Sequence, residues 1–275
     1  PAAPGFAWGA GRQNFKKAVT ADGLTAGFDL RKVEPAGAVA PAAYLPARRK
    51  LDGWVLDAPR GDGQPYMTLT PPGKAEGVKM PGSHLNRGRT LIPVPGDPPR
   101  VAFGQHTNDI GEQKWLFEAD GTRVTRLLPD VTLVHDLAAS PDGRYVVAST
   151  GTPRLTVHRT DGTRSPLFSF ARVKGEWVLW TPEGYFAASP GGEKLFGWAV
   201  PDGPDKLVAF HPAERFAKYF RRPDVIRLAV EKGSVKAALE ALAAPPAPEV
   251  ESILPPEVTL ALVAQTGKRV KVRAT

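Results

Sequence analysis

The chain has no cysteine. Disulfides, thiolate zinc sites and a thiol nucleophile are therefore excluded within it, while its redox compartment stays open. No run approaches the roughly 18 apolar residues of a membrane-spanning helix, and no basic-then-apolar signal segment opens it. These absences predict a soluble protein without a membrane span and leave its location undetermined. Neither a Gly-x-x-x-x-Gly-Lys-Ser/Thr loop nor a His-Glu-x-x-His pair occurs, so the best-marked phosphate and zinc motifs are missing.

Turn-forming residues, by contrast, are abundant. The chain has 28 glycines and 29 prolines among 275 residues, about a fifth of the whole and well above ordinary usage. They alternate with short apolar runs, the pattern of many short strands joined by tight turns. Lys plus Arg number 36 against 28 Asp plus Glu, a net charge of +8. Those charges are scattered. The basic runs, Arg48-Arg49-Lys50 and Arg221-Arg222, are short and are not interleaved with aromatics, so nucleic acid is not an expected partner.

The most informative feature is a repeat. Trp115-Leu-Phe-Glu-Ala-Asp-Gly121 and Leu155-Thr-Val-His-Arg-Thr-Asp-Gly162 both read as a strand running into an Asp-Gly turn, and their glycines are 41 residues apart. Pro201-Asp-Gly203, after Leu195 to Val200, lies another 41 residues on. Weaker candidate turns at Gly73 and Gly37 fall 48 and then 36 residues before Gly121. A second marker keeps phase: Asp136-Leu-Ala-Ala-Ser-Pro-Asp-Gly143-Arg-Tyr-Val-Val-Ala148 aligns with Trp177-Val-Leu-Trp-Thr-Pro-Glu-Gly184-Tyr-Phe-Ala-Ala188, again 41 residues apart. In each, proline presets φ and glycine accepts a positive φ, so apolar strands enter and leave a tight turn.

Four short strands in about 40 residues is the size of one propeller blade. The segment Asp136 to Ala148 resembles the inner hairpin of WD repeats, in which a Ser-Pro-Asp-Gly-Arg turn precedes a β-rich strand. The family's Trp-Asp dipeptide and Gly-His pair are absent from the clear repeats. The expected fold is all-β: a divergent WD-repeat-like β-propeller over residues 1–210, with five or more four-stranded blades visible and residues 1–60 fitting poorly.

After Phe210 the period changes. Phe216, Tyr219 and Phe220 fall at i, i+3 and i+4, predicting an amphipathic helix with Pro212 in its first turn. A second helix is expected from Pro223-Asp224 to a stop at Gly233, and a third after Ser234 as its N-cap, running through Val235 to Leu242. This helical tail, 211–243, leads into a Pro-rich linker, 244–256, and two strands in 257–275 read as the start of a further β domain.

Glu176 to Glu193, then Gly197-Trp198, then Tyr219-Phe-Arg-Arg-Pro-Asp-Val225 are similar to stretches of bacterial multidomain proteins that join a WD-repeat region to a caspase-like peptidase. That resemblance, over roughly residues 130–275, implies that the strands in 257–275 start an immunoglobulin-like β segment, and it implies a larger parent protein, as do a start at Pro1 and an end at Thr275 inside an alternating stretch. The peptidase's cysteine chemistry cannot reside in this chain.

The five histidines suggest no shared site. His135 and Asp136 are neighbours on an expected strand and point to opposite faces. His106 and Asp109 lack a known ligand spacing, and His158 alternates with Thr156 and Thr160 as a sheet-face histidine does. Gly191-Gly-Glu-Lys194 only superficially resembles a phosphate loop and should lead into a strand. No catalytic, metal or cofactor residue is therefore expected. Trp177, Trp180, Tyr185, Trp198, Phe216 and Phe220 form the aromatic concentration, read either as core packing or as a protein-interface hot spot. The expected function is a non-catalytic interaction scaffold or regulatory region, holding a protein partner or another domain of its parent. The alternative is a propeller hydrolase or lyase with an axial metal or carboxylate site.

Overall fold

A computed structural model describes residues 5–9, 24–30, 32–36, 45–46, 53–57, 66–81, 90–94, 100–104, 114–118, 124–126, 134–140, 142–150, 154–161, 163, 165–201, 208–254, 260–266 and 269–274. Strands β1 (Gly5–Gly9), β2 (Leu24–Asp29) and β3 (Glu34–Ala36) form one small sheet; β4 (Leu45–Pro46) stands apart from it. A second three-stranded sheet holds β5 (Val55–Asp57), β6 (Tyr66–Thr70) and β7 (Val78–Pro81). Strands β8 (Thr90–Val94), β9 (Arg100–Gly104), β10 (Lys114–Glu118) and β11 (Val124–Arg126) form a four-stranded sheet.

The main sheet is an antiparallel meander of six consecutive strands: β12 (Val134–Ala139), β13 (Tyr145–Thr150), β14 (Arg154–Arg159), β15 (Phe168–Val173), β16 (Glu176–Trp180) and β17 (Phe186–Ala188). The two-residue β4 extends its β12 edge. Next come the hairpin β18 (Gly197–Val200) and β19 (Ala209–Pro212), a 3-10 turn over Ala213–Phe216, and helices α1 (Ala217–Phe220), α2 (Pro223–Lys232) and α3 (Val235–Ala241). A closing hairpin pairs β20 (Leu260–Thr266) with β21 (Arg269–Ala274).

The two in-phase turns have the same construction. Gly143 and Gly184 have φ of 67° and 91°. In the first turn the Gly143 N–H donates to the Ser140 carbonyl at 2.9 Å, and in the second the Gly184 N–H donates to that of Thr181 at 3.0 Å. Each turn also returns a bond from its first residue to the strand beyond, Ser140 N–H to the Tyr145 carbonyl at 2.9 Å and Thr181 N–H to that of Tyr185 at 2.8 Å. Gly73 likewise closes a turn, with φ of 72°. The turns expected at Gly37, Gly121, Gly162 and Gly203 lie outside the described residues.

The propeller does not form, and the all-β class is corrected to a mixed strand and helix fold. With four strands in each 41-residue unit, and the turns at Gly143 and Gly162 both inside one unit, a blade boundary is expected between β15 and β16. Those strands are instead hydrogen-bonded neighbours, with Ser169 opposite Trp180, Phe170 opposite Leu179, Ala171 opposite Val178 and Arg172 opposite Trp177. Both repeats thus run into one continuous sheet, and among the described residues no sheet closes and no ring of blades exists. The physical reason is what covers the sheet. A propeller blade buries its faces against neighbouring blades; here helices and flanking segments do that work.

Alternation along the strands shows this. Leu155, Val157, Phe168, Phe170, Leu179 and Ala187 share a core with Phe28 of β2 and with Val225, Ile226, Ala229, Val235 and Ala238 of α2 and α3. Their neighbours Val178, Phe186 and Ala188 point to the other face and pack with Val200, Ala213, Phe216, Phe220 and Val250. Phe28, Phe168, Phe170, Phe186 and Phe216 are all fully buried, and each such side chain stabilises the fold by about 3 kcal/mol relative to exposure. A buried polar strip crosses β14, where His158 Nε2 lies 3.0 Å from Thr156 Oγ1 and Thr160 Oγ1 donates to the Gly143 carbonyl at 2.6 Å.

Candidate functional site

The helices are anchored on the meander by their own ends. Pro223 opens α2 and Gly233, at φ 86°, closes it in the left-handed conformation. Ser234 then accepts the Ala237 N–H at 3.1 Å as the N-cap of α3. The last carbonyls of α2, which no helical N–H can reach, are taken by the first hairpin of the meander and by β14. Tyr145 donates to the Val230 carbonyl at 2.5 Å and Arg144 to that of Glu231 at 3.2 Å, and Arg159 donates to that of Gly233. At the other end of α2, Arg222 grips Asp224 with Nε and Nη2 at 2.7–3.1 Å. That pairing holds the Asp224 carboxyl below its ordinary value. The helix start is tied to the sheet by the Arg222 N–H, which donates to the Phe186 carbonyl at 3.0 Å.

This docking brings aromatics from three elements together. Trp198 of β18 lies 4.9 Å from Phe220 of α1 and 5.2 Å from Phe216, ring centre to ring centre. Tyr185, beside the second in-phase turn, lies 6.0 Å from Phe220. Gly184 is required beneath them: a Cβ there would stand 3.1 Å from the Trp198 ring and 3.3 Å from that of Phe220.

Across these rings runs the chain from Ala243 to Glu251. Its Ala247 N–H donates to the Tyr185 hydroxyl oxygen at 2.7 Å, and Ala244 N–H donates to the Leu239 carbonyl at 3.0 Å. The Pro-rich stretch is therefore a strap fixed at both ends. Between strap, α3, β18 and the turn at Pro182-Glu183 lies a cleft of about 740 Å³, within the range of small-ligand and peptide pockets. Tyr185, Trp198 and Phe220 line it, and Glu183, Glu249 and Glu251 stand exposed at its walls.

The six expected interface aromatics therefore divide. Tyr185, Trp198 and Phe220 meet in the cleft, with Tyr185 and Phe220 each only 3% exposed. Phe216 lies behind Trp198 at 2% exposure. Trp180 stacks on Phe196 at 5.2 Å, and Phe196 in turn meets Trp198. Trp177 faces the opposite core, 4.8 Å from Phe28.

Sequence reasoning did not single out the glutamates, and it read the strap only as a Pro-rich linker. The only available signal was the row of prolines.

Gly191-Gly192 has a steric explanation. A Cβ on Gly192 would lie 1.8 Å from the Trp177 carbonyl oxygen, and one on Gly191 2.6 Å from the Glu176 side chain. The segment forms a 3-10 turn at Gly192–Lys194 and leads into β18. Glu176 holds it by accepting from Ser189 Oγ at 2.5 Å and the Gly191 N–H at 3.0 Å.

Among the described residues no three His, Asp or Glu side chains gather as metal donors, and no helix is long and apolar enough to cross a membrane. The side chains of His106, Asp109, His135 and Asp136 lie outside the described residues. No protein-family model and no curated protein matches this chain.

Proposed function

We propose that this chain is a non-catalytic protein-interaction module, a scaffold or regulatory region of a larger protein, and that the cleft under the strap is where it holds its partner. The observation that carries this reading is the aromatic-floored cleft of about 740 Å³ with three exposed carboxylates at its walls. Aromatic rings supply much of the energy at protein interfaces, provided they are held in place and ringed by polar groups. Both conditions are met. Tyr185 is fixed by the strap and Trp198 by Phe216 and Phe220, so little conformational freedom is lost on binding.

The test fills the cleft without touching the core. Ala199 is exposed, lines the cleft and sits on β18, where a large side chain suits a strand. Immobilised chain carrying Ala199→Trp should lose at least about tenfold of the binding of any protein captured by the unaltered chain, a loss of about 1.4 kcal/mol. Lys174→Ala, on the exposed turn between β15 and β16, should leave capture unchanged. Equal capture by the Ala199→Trp chain would sink the reading.

A further inference from the structure

We infer that the cleft receives an extended protein segment carrying arginine, an inference that rests on the binding role proposed above. Three observations select that chemistry: the hydrogen-bonding character of the strap, the charge of the walls and the nature of the floor.

The strap can accept hydrogen bonds but has no backbone donor left between Ala244 and Pro248. Pro245, Pro246 and Pro248 have no N–H. The N–H of Ala244 is bonded to Leu239 and that of Ala247 to Tyr185. A ligand that hydrogen-bonds to this stretch of backbone can do so only as a donor. Arginine brings five and accepts none.

The walls are anionic although the chain as a whole is +8. Lys236 lies 4.0 Å from Glu240 one helical turn away, so those two charges offset each other. Glu183, Glu249 and Glu251 have no ion pair among the described residues and are exposed. A cationic side chain entering the cleft meets the carboxylates that line it, whereas exposed charges more than about 8 Å away are largely screened at physiological salt. Local attraction therefore outweighs the repulsion of the distant positive charges, provided the segment carries only a few cations.

The floor favours arginine over lysine. Tyr185 and Phe220 are buried, and Trp198, half-buried and backed by Phe216 and Phe220, is the ring a ligand can reach, a single surface and not an open cage around an ammonium group. A planar guanidinium stacks on such a surface, whereas a hydrated ammonium gains less from it. A neighbouring apolar side chain of the segment would complete contact with the floor.

The experiment uses the full chain and fluorescein-labelled peptides of three repeats of Gly-Ser-Leu-Arg, with Lys, Gln or Glu replacing Arg in the controls, followed by fluorescence anisotropy. The arginine peptide should bind roughly tenfold more tightly than the glutamine peptide and a few-fold more tightly than the lysine peptide. The glutamate peptide should not bind, and affinity should fall as salt rises. Glu249→Lys or Glu251→Lys on the strap side, and independently Glu183→Lys on the turn, should each weaken arginine binding about fivefold while circular dichroism stays unchanged. Three results would overturn the inference: glutamine binding as tight as arginine, indifference to all three charge reversals, or no arginine binding at millimolar peptide. If arginine peptides fail while Ala199→Trp still abolishes partner capture, the partner's chemistry is wrong and the binding role stands. If Ala199→Trp leaves capture intact, the binding role itself falls.

Discussion

Tyr145, on the first hairpin of the meander, donates its hydroxyl hydrogen to the Val230 carbonyl in the last turn of α2, 85 residues further along the chain, at 2.5 Å. This bond and those from Arg144 and Arg159 satisfy helix-end carbonyls that would otherwise be left without protein donors. Tyr145→Phe should reduce stability by about 1–2 kcal/mol in urea denaturation, with the denaturant slope unchanged.

The same phenol makes stability pH-dependent at the alkaline end. Burial raises its pKa above the ordinary value of 10.0, against the opposing pull of Arg144. Its contribution is complete below that ordinary value, where the phenol is protonated in both folded and unfolded chains, and is lost as pH rises through the raised one. A phenolate cannot donate to Val230. Denaturation midpoints measured from about pH 9 to about pH 11 should fall more steeply for the unaltered chain than for Tyr145→Phe; parallel curves would refute the assignment.

Gly192→Ala tests the packing of the 3-10 turn against β16. A methyl group 1.8 Å from the Trp177 carbonyl oxygen meets backbone, which cannot swing aside. The expected loss is roughly 3 kcal/mol or more, read as a lowered Tm. Gly175→Ala is the control: nothing lies within 4 Å of its Cβ, and only the φ of 92° opposes it, so about 1 kcal/mol should be lost.

Tyr185→Phe tests the strap. It removes the acceptor for the Ala247 N–H while keeping the ring against Phe220. Hydrogen exchange of the amides from Ala247 to Glu251 should quicken, with amides of β16 unaffected. Unchanged strap protection would show that the bond does not hold it.

Ser234→Ala removes the one side-chain cap of α3, the helix that forms one side of the cleft. About 1 kcal/mol of stability should be lost, measured by thermal unfolding.

Much of the local structure was legible in particular residues. Pro-Asp-Gly143 and Pro-Glu-Gly184 announced two tight turns, and both formed with the same hydrogen bonds. Pro223, Gly233 and Ser234 marked the ends of α2 and α3 because each acts on backbone groups within a few residues of itself. The first predicted helix was less legible. Pro212 ends β19, and the turn that follows is 3-10 before it becomes α1. The cleft could not be read at all, since Tyr185, Trp198, Phe220 and Glu249 come from four separate elements.

The amino-acid sequence by itself determined where the chain turns, where its helices start and stop, and which strand residues alternate in polarity. Those properties depend on φ preferences, capping groups and side-chain spacing, all of them local. Only the tertiary structure decided how the hairpins join. A 41-residue period is compatible equally with blades stacked face to face and with hairpins paired edge to edge, because each hairpin is internally the same in both. The choice lay in what covered the apolar faces. Once Val225, Ile226, Ala229 and Ala238 of the helices packed against Leu155, Phe170 and Leu179, no neighbouring blade was needed, and β15 could pair with β16 directly.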